Sequence, residues 1–196
     1  MSSSLLTARK DWYAQELADE QYTRETFATF DFTEASLDRM SFSECTFHGV
    51  QFNCSQQRGN AFVNCTFNNC SFFETTFTEC KLLGSRFDRC TFDLMRVTDG
   101  NWDHVVLARA DLRKVTFETV RFREVDLAGA RLQGAVIRDC DLTNATLNGA
   151  VLKGCDLRGS ALGGLEPASV DLRGAIVTVD QAIVIAAAYG LDVRDE

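Results

Sequence analysis

The chain has 196 residues, a formal net charge of −8 and a hydrophobic content of 45%, values that suit a single domain. Its acidity opposes direct binding to nucleic acid, and no apolar stretch is long enough to span a membrane. The N-terminus lacks the apolar core of a signal peptide, so we expect a cytoplasmic protein without a membrane partner.

The first predicted element, residues 1–26, is weakly repetitive. Large apolar residues recur every five positions from Trp12, but Glu20 and Glu25 stand two positions before such residues, where later repeats have small side chains. We therefore predict that residues 1–26 form an N-terminal cap, irregular or helical, and that regular structure begins near Phe27.

The second element, residues 27–178, carries the full five-residue repeat. Between Trp12 and Val177, 34 positions spaced by five hold a hydrophobic residue, which we call the centre, with two exceptions, Gln57 and Pro167. The residue two positions earlier is most often small, and the other three positions are mostly polar. A period of five matches neither an α-helix nor an ordinary strand, and a fixed period indicates a repeat architecture.

The repeat is clearest at residues 110–114, 140–144 and 155–159, where it reads Ala/Cys-Asp-Leu-X-X. It resembles the pentapeptide repeat, whose proteins form a right-handed, four-sided β-helix with four repeats in each coil of twenty residues. The resemblance implies an all-β fold of about eight coils and, at ~4.8 Å per coil, a rod roughly 40 Å long.

The eight cysteines raise the question of disulfides or zinc, but seven of them occupy the small inward position of a repeat. Cys45 and Cys65 are one coil apart, yet their parallel Cβ vectors give poor disulfide geometry, and no Cys-x-x-Cys pair suggests zinc. His48 and His104 lie almost three coils apart, and no nucleophile–base pair or phosphate loop stands out. We predict buried thiols, no cofactor, no metal and no enzymatic activity.

The repeat also assigns charges to sides of the rod. Acidic residues predominate on two adjacent sides, with centres at Phe32 and Leu37 and at twenty-residue steps from them. The candidate partner-binding residues of this acidic surface are Glu34, Asp38, Glu74, Glu79, Asp93, Asp99, Glu118 and Asp139. An acidic surface can simply keep a protein soluble. On a narrow rod, however, it also resembles duplex DNA and should attract a basic DNA-binding groove.

The third element, residues 179–196, begins with a predicted short helix, with Asp180 near its start and Gly190 as its C-cap. This helix is apolar nearly all round and must be buried on more than one side. One side can close the last coil, and we predict that the other joins a C2 homodimer at the C-terminal ends. A purely intramolecular cap is the alternative. The predicted dimer interface comprises Val177, Ile183, Ile185, Ala186, Tyr189 and Leu191.

Three segments go beyond the generic repeat: residues 43–67, 81–85 and 179–191. They resemble the Qnr/MfpA group of fluoroquinolone-resistance proteins, in particular the mycobacterial MfpA proteins. The resemblance implies a dimeric β-helix similar to B-DNA that binds DNA gyrase, competes with DNA and protects the enzyme from quinolones. Some members carry projecting loops that matter for protection, whereas this chain keeps its repeat without a long insertion.

We therefore expect a DNA mimic that binds gyrase and modulates supercoiling. A smooth rod could lie on the saddle that binds the DNA segment to be cut, or enter the clamp of the ATPase subunits that captures the transported segment. A slim body without projections favours the clamp slightly. The alternative is a pentapeptide-repeat scaffold that binds another cytoplasmic protein.

Overall fold

The computed structural model describes residues 12–194. Residues 1–11 of the predicted N-terminal cap and residues 195–196 of the predicted tail lie outside the described part. The elements are short strands followed by one helix. They are β1 (Glu16–Ala18), β2 (Gln21–Thr23), β3 (Thr26–Ala28), β4 (Ser36–Asp38), β5 (Ser41–Ser43), β6 (Thr46–His48), β7 (Gln56–Arg58), β8 (Ala61–Val63), β9 (Thr66–Asn68), β10 (Thr76–Thr78), β11 (Arg86–Asp88), β12 (Arg96–Thr98), β13 (Thr116–Glu118), β14 (Val136–Arg138) and α1 (Val179–Ala188).

The strands form the sides of a parallel solenoid. One sheet has the order β1-β4-β7-β10-β12-β13-β14, a second β2-β5-β8 and a third β3-β6-β9-β11. Paired residues are always twenty apart, as at Leu17 and Leu37. The remaining side is joined by isolated parallel bridges, such as Asp31 to Gln51. In chain order we call this bridged side the first, the seven-stranded side the second, and the other two the third and fourth. The predicted four-sided β-helix is confirmed.

Regular strands cover fewer turns than the coil count predicted from the repeat. On the second side, six strand pairings connect β1 to β14, against about eight coils expected. Isolated bridges continue the twenty-residue offset from Val136 to Asp156 and Ile176. The last coils therefore keep the repeat but are joined by single bridges.

Coils begin earlier than predicted. β1 pairs with β4 and β2 pairs with β5 in the same twenty-residue offset, so the prediction of irregular or helical structure before Phe27 is wrong for the described residues. Glu20 is tolerated because no described coil covers the first one: it is exposed and accepts a hydrogen bond from the Tyr22 hydroxyl. Trp12, 4% exposed, packs edge-on against Phe32 at 4.7 Å between ring centroids and closes this end.

Stacked aromatic rings fill the core of the N-terminal half. On the fourth side, the ring centroids of Phe27, Phe47, Phe67 and Phe87 follow one another at 4.9, 4.8 and 4.6 Å. Neighbouring sides contribute rings in edge-on contact, and such pairs add ~0.5–1.5 kcal/mol each beyond the burial of their area. Beyond Phe122 the buried centres are mainly leucines. Every Phe residue at a repeat centre, from Phe27 to Phe122, is buried.

Gln57, one of the two breaks in the repeat, is buried in a complete hydrogen-bond network. Its Nε2 donates to Ser55 Oγ at 3.0 Å, and its Oε1 accepts from Asn60 Nδ2 at 2.9 Å. Asn60 also donates to the Leu37 carbonyl and accepts from the Met40 amide. Because buried polar groups are tolerated when their partners are satisfied, the coil continues without a bulge.

All eight cysteines are free thiols. Of the seven predicted to be buried, six are, while Cys90 is half-buried; Cys54 is exposed. Thiols donate to a carbonyl of the preceding coil, as Cys80 does to Gln57 at 3.3 Å. Burial raises the pKa of Cys80, and likewise that of Cys140, to about 12. The thiols therefore serve as small core residues.

Helix α1 closes the C-terminal end of the solenoid. Thr178 caps it, and Gln181 completes a capping box. The Gln181 side chain also donates to the carbonyls of Leu157 and Ser160 in the last coils, at 2.6 and 2.7 Å. Gly190 has a φ of +80°, and its amide bonds to Ala187 while the Leu191 amide bonds to Ala186, which is the Schellman ending. Both predicted helix ends agree with this structure to within one residue.

Candidate interaction surface

The corners of the rod hold most of the predicted acidic surface. The second residue after most centres forms a corner with positive φ, including Glu79 at 56°, Asp99 at 59° and Asp139 at 52°. The corner amides bond to the next coil, from Glu79 N to Thr98 O at 3.0 Å and from Asp99 N to Glu118 O at 2.9 Å. These side chains therefore project from a backbone that is held by the coils on both sides.

Seven of the eight predicted acidic residues are exposed, and Asp38 is half-buried. Glu34 and Glu74 stand at the corner that follows the first side, and Glu79, Asp99 and Asp139 at the corner that follows the second. Asp93 is on the first side, and Asp38 and Glu118 are on the second. The structure thus brings all eight to two neighbouring corners and the sides beside them.

Part of this surface is neutralised. Asp38 forms an ion pair with Arg39, which also lies 2.8 Å from Asp19. Asp93 is 3.5 Å from Lys114. These contacts divide the acidic surface into a partly compensated part and a free part.

The free part comprises Glu34 and Glu74 at the first corner and a ridge of four carboxylates, Glu79, Asp99, Glu118 and Asp139, which we call the acidic ridge. Within residues 12–194 none of the four forms an ion pair; Asp99 accepts only from the hydroxyl of Thr119. Gly159 leaves room for Asp139, because a Cβ at position 159 would lie 1.9 Å from its Oδ1. The ridge is therefore available to a cationic partner.

Aspartates directly before a centre are arranged differently, and we call Asp111, Asp141, Asp156 and Asp171 the rung aspartates. Each accepts the amide two residues on, for example Arg158 N to Asp156 at 3.3 Å. Each also pairs with an arginine. The hydrogen bonds from Arg158 and Arg138 hold the pKa of Asp156 well below its usual range. The rung aspartates therefore stabilise the coils.

The C-terminal end carries an exposed apolar patch. Of the predicted interface residues, Ile183, Tyr189 and Leu191 are exposed by 45, 59 and 62%. Ala186 is half-buried, and Val177 and Ile185 are partly buried against the core. Four exposed apolar residues of this end were missed by the sequence analysis: Ile176, Val179, Val184 and Val193.

Two further apolar side chains lie inside the acidic surface. Phe73 is 41% exposed and Leu94 is 44% exposed. Neither residue is among the predicted site residues, although both occupy outward positions of the repeat. That mismatch between residue type and repeat position was the available signal.

Among residues 12–194, no group of three or more His, Cys, Asp or Glu side chains is placed to hold a metal ion. In the same part of the chain, the structure contains no helix with the length and apolar character needed to cross a membrane.

Comparison with known proteins agrees with the coil geometry. Residues 121–159 match the family model described as pentapeptide repeats, in eight copies. A pentapeptide repeat protein MfpA from Mycobacterium tuberculosis is 43% identical over 53 residues, which cover 27% of this chain and 29% of that protein. MfpA from Mycolicibacterium smegmatis is 40% identical over 50 residues, 26% of each chain. The similarity thus spans less than a third of these curated relatives.

Among solved structures, a trypsin-treated variant of QnrB1, described as a plasmid-mediated fluoroquinolone resistance protein, superimposes with a TM-score of 0.64. It shares 19% identity, with 92% of this chain and 99% of that chain covered. A second QnrB1 variant gives a TM-score of 0.56 at 21% identity, with 91% of this chain and 100% of that one covered. At such identities the likeness shows the fold. Together with the repeat and the local MfpA similarity, it makes this chain similar to pentapeptide-repeat proteins of the Qnr/MfpA type.

Proposed function

We propose that this protein is a cytoplasmic DNA mimic that binds DNA gyrase through its acidic surface. The observation that carries the proposal is the acidic ridge, a group of four carboxylates without ion pairs on one rigid corner and the side beside it. A partner that binds such a line must present cations along a groove, as DNA-binding enzymes do.

The charge spacing of the ridge supports mimicry of one DNA strand. Glu79 and Asp139 are three coils apart, about 14 Å at ~4.8 Å per coil. A strand of duplex DNA has one phosphate every ~3.4 Å, or about five over that span with both ends counted, and the ridge has four carboxylates. The whole rod carries only −8, whereas roughly 40 Å of duplex carries about two dozen charges. The rod therefore imitates one flank of DNA.

The choice of gyrase as partner rests on the relatives. QnrB1 is described as a fluoroquinolone resistance protein, and resemblance to the Qnr/MfpA group implies gyrase binding, competition with DNA and protection from quinolones. We extend these properties to this chain as part of the proposal. The offset of twenty residues is unbroken from β7 to β13, so no long loop projects there. A smooth rod of this kind favours the clamp of the ATPase subunits over the cleavage saddle.

The exposed apolar patch supports a C2 homodimer as the active form. Gln181 and Ile185 face the last coils, whereas Ile183, Tyr189 and Leu191 remain exposed. Exposed apolar side chains grouped at one end are typical of an interface between subunits. Sedimentation should give a dimer, and Ile183→Asp with Leu191→Asp should give a folded monomer. A wild-type monomer at micromolar concentration would leave α1 as an intramolecular cap.

The direct test is ATP-dependent supercoiling by gyrase, titrated with the dimer in the presence and absence of a fluoroquinolone. Inhibition of supercoiling, or rescue from drug-stabilised cleavage, supports the proposal. Binding to the isolated ATPase region and to the cleavage core then separates the two modes, and tight binding to the core alone would exclude the clamp. No effect at micromolar dimer would favour a scaffold for another cytoplasmic protein.

A further inference from the structure

Two exposed apolar side chains interrupt the acidic surface at positions where the repeat does not require them. Phe73 follows a centre of the first side, and the same position of the adjacent coils holds Asn53 and Asp93. Leu94 lies at the corner that follows the first side. Glu74 occupies the same corner position in the preceding coil. Neither side chain fills the core, since Phe73 is 41% and Leu94 is 44% exposed.

The backbone holds the two residues in diagonal positions on adjacent coils. Glu74 N donates to Asp93 O at 2.9 Å, so the peptide group after Phe73 stacks on the one before Leu94. Phe73 is fixed further because its carbonyl accepts a hydrogen bond from Cys54 N at 2.7 Å and its amide donates one to Asn53 Oδ1 at 3.1 Å. The pair is therefore presented on a rigid support, which lowers the entropic cost of binding.

Leu94 is unfavourable for the fold in two respects. Its φ is +60°, and among residues 12–194 it is the one large aliphatic residue with positive φ; the other non-glycine corners are mostly Asp, Glu, Asn, Arg and Thr. This conformation strains a residue with a Cβ, and exposure of the side chain forfeits apolar burial. A residue that opposes both local conformation and burial indicates a role outside the fold.

We propose that Phe73 and Leu94 form an apolar anchor that enters an apolar pocket in the basic groove of the protein partner. The inference rests on the proposed function and deepens it. Glu74 and Asp93 flank the anchor, so the partner surface must combine cations with a hydrophobic recess. Aromatic anchors of this kind dominate many protein interfaces. DNA phosphates offer no apolar group, and their contacts with a protein weaken as the salt concentration rises. The anchor would therefore let the mimic remain bound to its partner at salt concentrations that weaken DNA binding.

The test is the double variant Phe73→Thr with Leu94→Asn in the full-length protein. Affinity for the gyrase ATPase region and cleavage core is measured across a salt series, together with thermal unfolding. We expect binding at least tenfold weaker, with an unchanged slope of log Kd against log salt. The melting temperature should be unchanged or higher, because Asn tolerates positive φ better than Leu. The matched control is Leu83→Thr, at the same repeat position on the third side, which should bind like wild type.

Wild-type affinity of the double variant would overturn the anchor while leaving the gyrase proposal intact. Weakening by Leu83→Thr to the same extent would also overturn it, since the loss would then be structural. If the wild-type protein binds neither gyrase region, the proposed function fails and the anchor, as a gyrase contact, fails with it.

Discussion

Two sets of aspartates and glutamates occupy the same coils but play opposite parts. The rung aspartates, directly before a centre, accept amide hydrogen bonds and pair with arginines, as Asp156 does with Arg158 at 2.8 Å. The acidic ridge, one or two positions after a centre, has no ion pair among the described residues. An aspartate directly before a centre can thus accept the amide two residues on, whereas the neighbouring charges decide whether a carboxylate is ion-paired or remains free for a partner.

The largest expected effect comes from a substitution in the core, which supports both sets of carboxylates. Phe72 is fully buried and stacks on Phe52 at 4.9 Å and on Phe92 at 5.6 Å. Phe72→Ala should cost about 3–5 kcal/mol because it leaves a cavity in a narrow core. Chemical denaturation measures the loss, and partner binding should fall with it. A cost below about 1 kcal/mol would mean that the neighbouring coils collapse into the space.

Charge reversal of the ridge should separate binding from stability. Glu79→Lys, Asp99→Lys and Asp139→Lys together should weaken gyrase binding at least a hundredfold, about 2.7 kcal/mol, with little change in unfolding, because the three side chains are exposed. The matched control reverses Glu44, Asp88 and Glu124, which are exposed on the third and fourth sides. If both triple variants lose binding equally, net charge and not the ridge is responsible.

Substitution of a rung aspartate should lower the unfolding free energy without weakening gyrase binding. Asp156→Asn removes charge-assisted bonds from Arg138 and Arg158 and should cost about 1–2 kcal/mol of unfolding free energy, with gyrase binding unchanged. Asp171→Asn is the control, since Asp171 pairs mainly with Arg173 and should cost less. Reduced binding by a fully folded Asp156→Asn protein would contradict the assignment of stability to the rung aspartates and of binding to the acidic ridge.

The pH dependence of the unfolding free energy should depend on the same residue, Asp156. The folded state lowers the pKa of Asp156 through Arg158, so its contribution is complete above the unfolded value of ~3.9. That contribution is lost as the pH falls toward the folded pKa. Unfolding measured from pH 5 to pH 2 should show a smaller decline for Asp156→Asn than for wild type. Equal declines would show that Asp156 does not contribute.

The smallest expected effect lies within the acidic surface itself. Asp38 is half-buried and paired with Arg39, so Asp38→Asn should change gyrase affinity by less than about twofold. Asp99→Asn, in the ridge, should weaken it about threefold to tenfold, in the range of charged contacts worth ~1 kcal/mol. A larger effect of Asp38 would place the contact nearer the N-terminal coils.

Much of the fold could be predicted from the sequence because the period of five is strict. It identified the centres, the inward cysteines and the sides that hold the acidic surface. The start of the coils was mispredicted because Glu20 and Glu25 were expected to be buried, whereas Glu20 faces the open end of the rod. The repeat likewise marked Gln57 as an exception but could not show that Ser55 and Asn60 satisfy it.

What the sequence by itself determined is the direction of each side chain, inward or outward, since that depends only on position within the repeat. Only the tertiary structure decided which carboxylates are neutralised. Arg138 reaches Asp156 across 18 residues, and Arg39 reaches Asp19 across 20, because stacking brings successive coils to within ~4.8 Å. The same stacking leaves Glu79, Asp99, Glu118 and Asp139 without an ion pair among the described residues, although Glu118 lies in register with Arg138, and it sets Phe73 and Leu94 on adjacent coils.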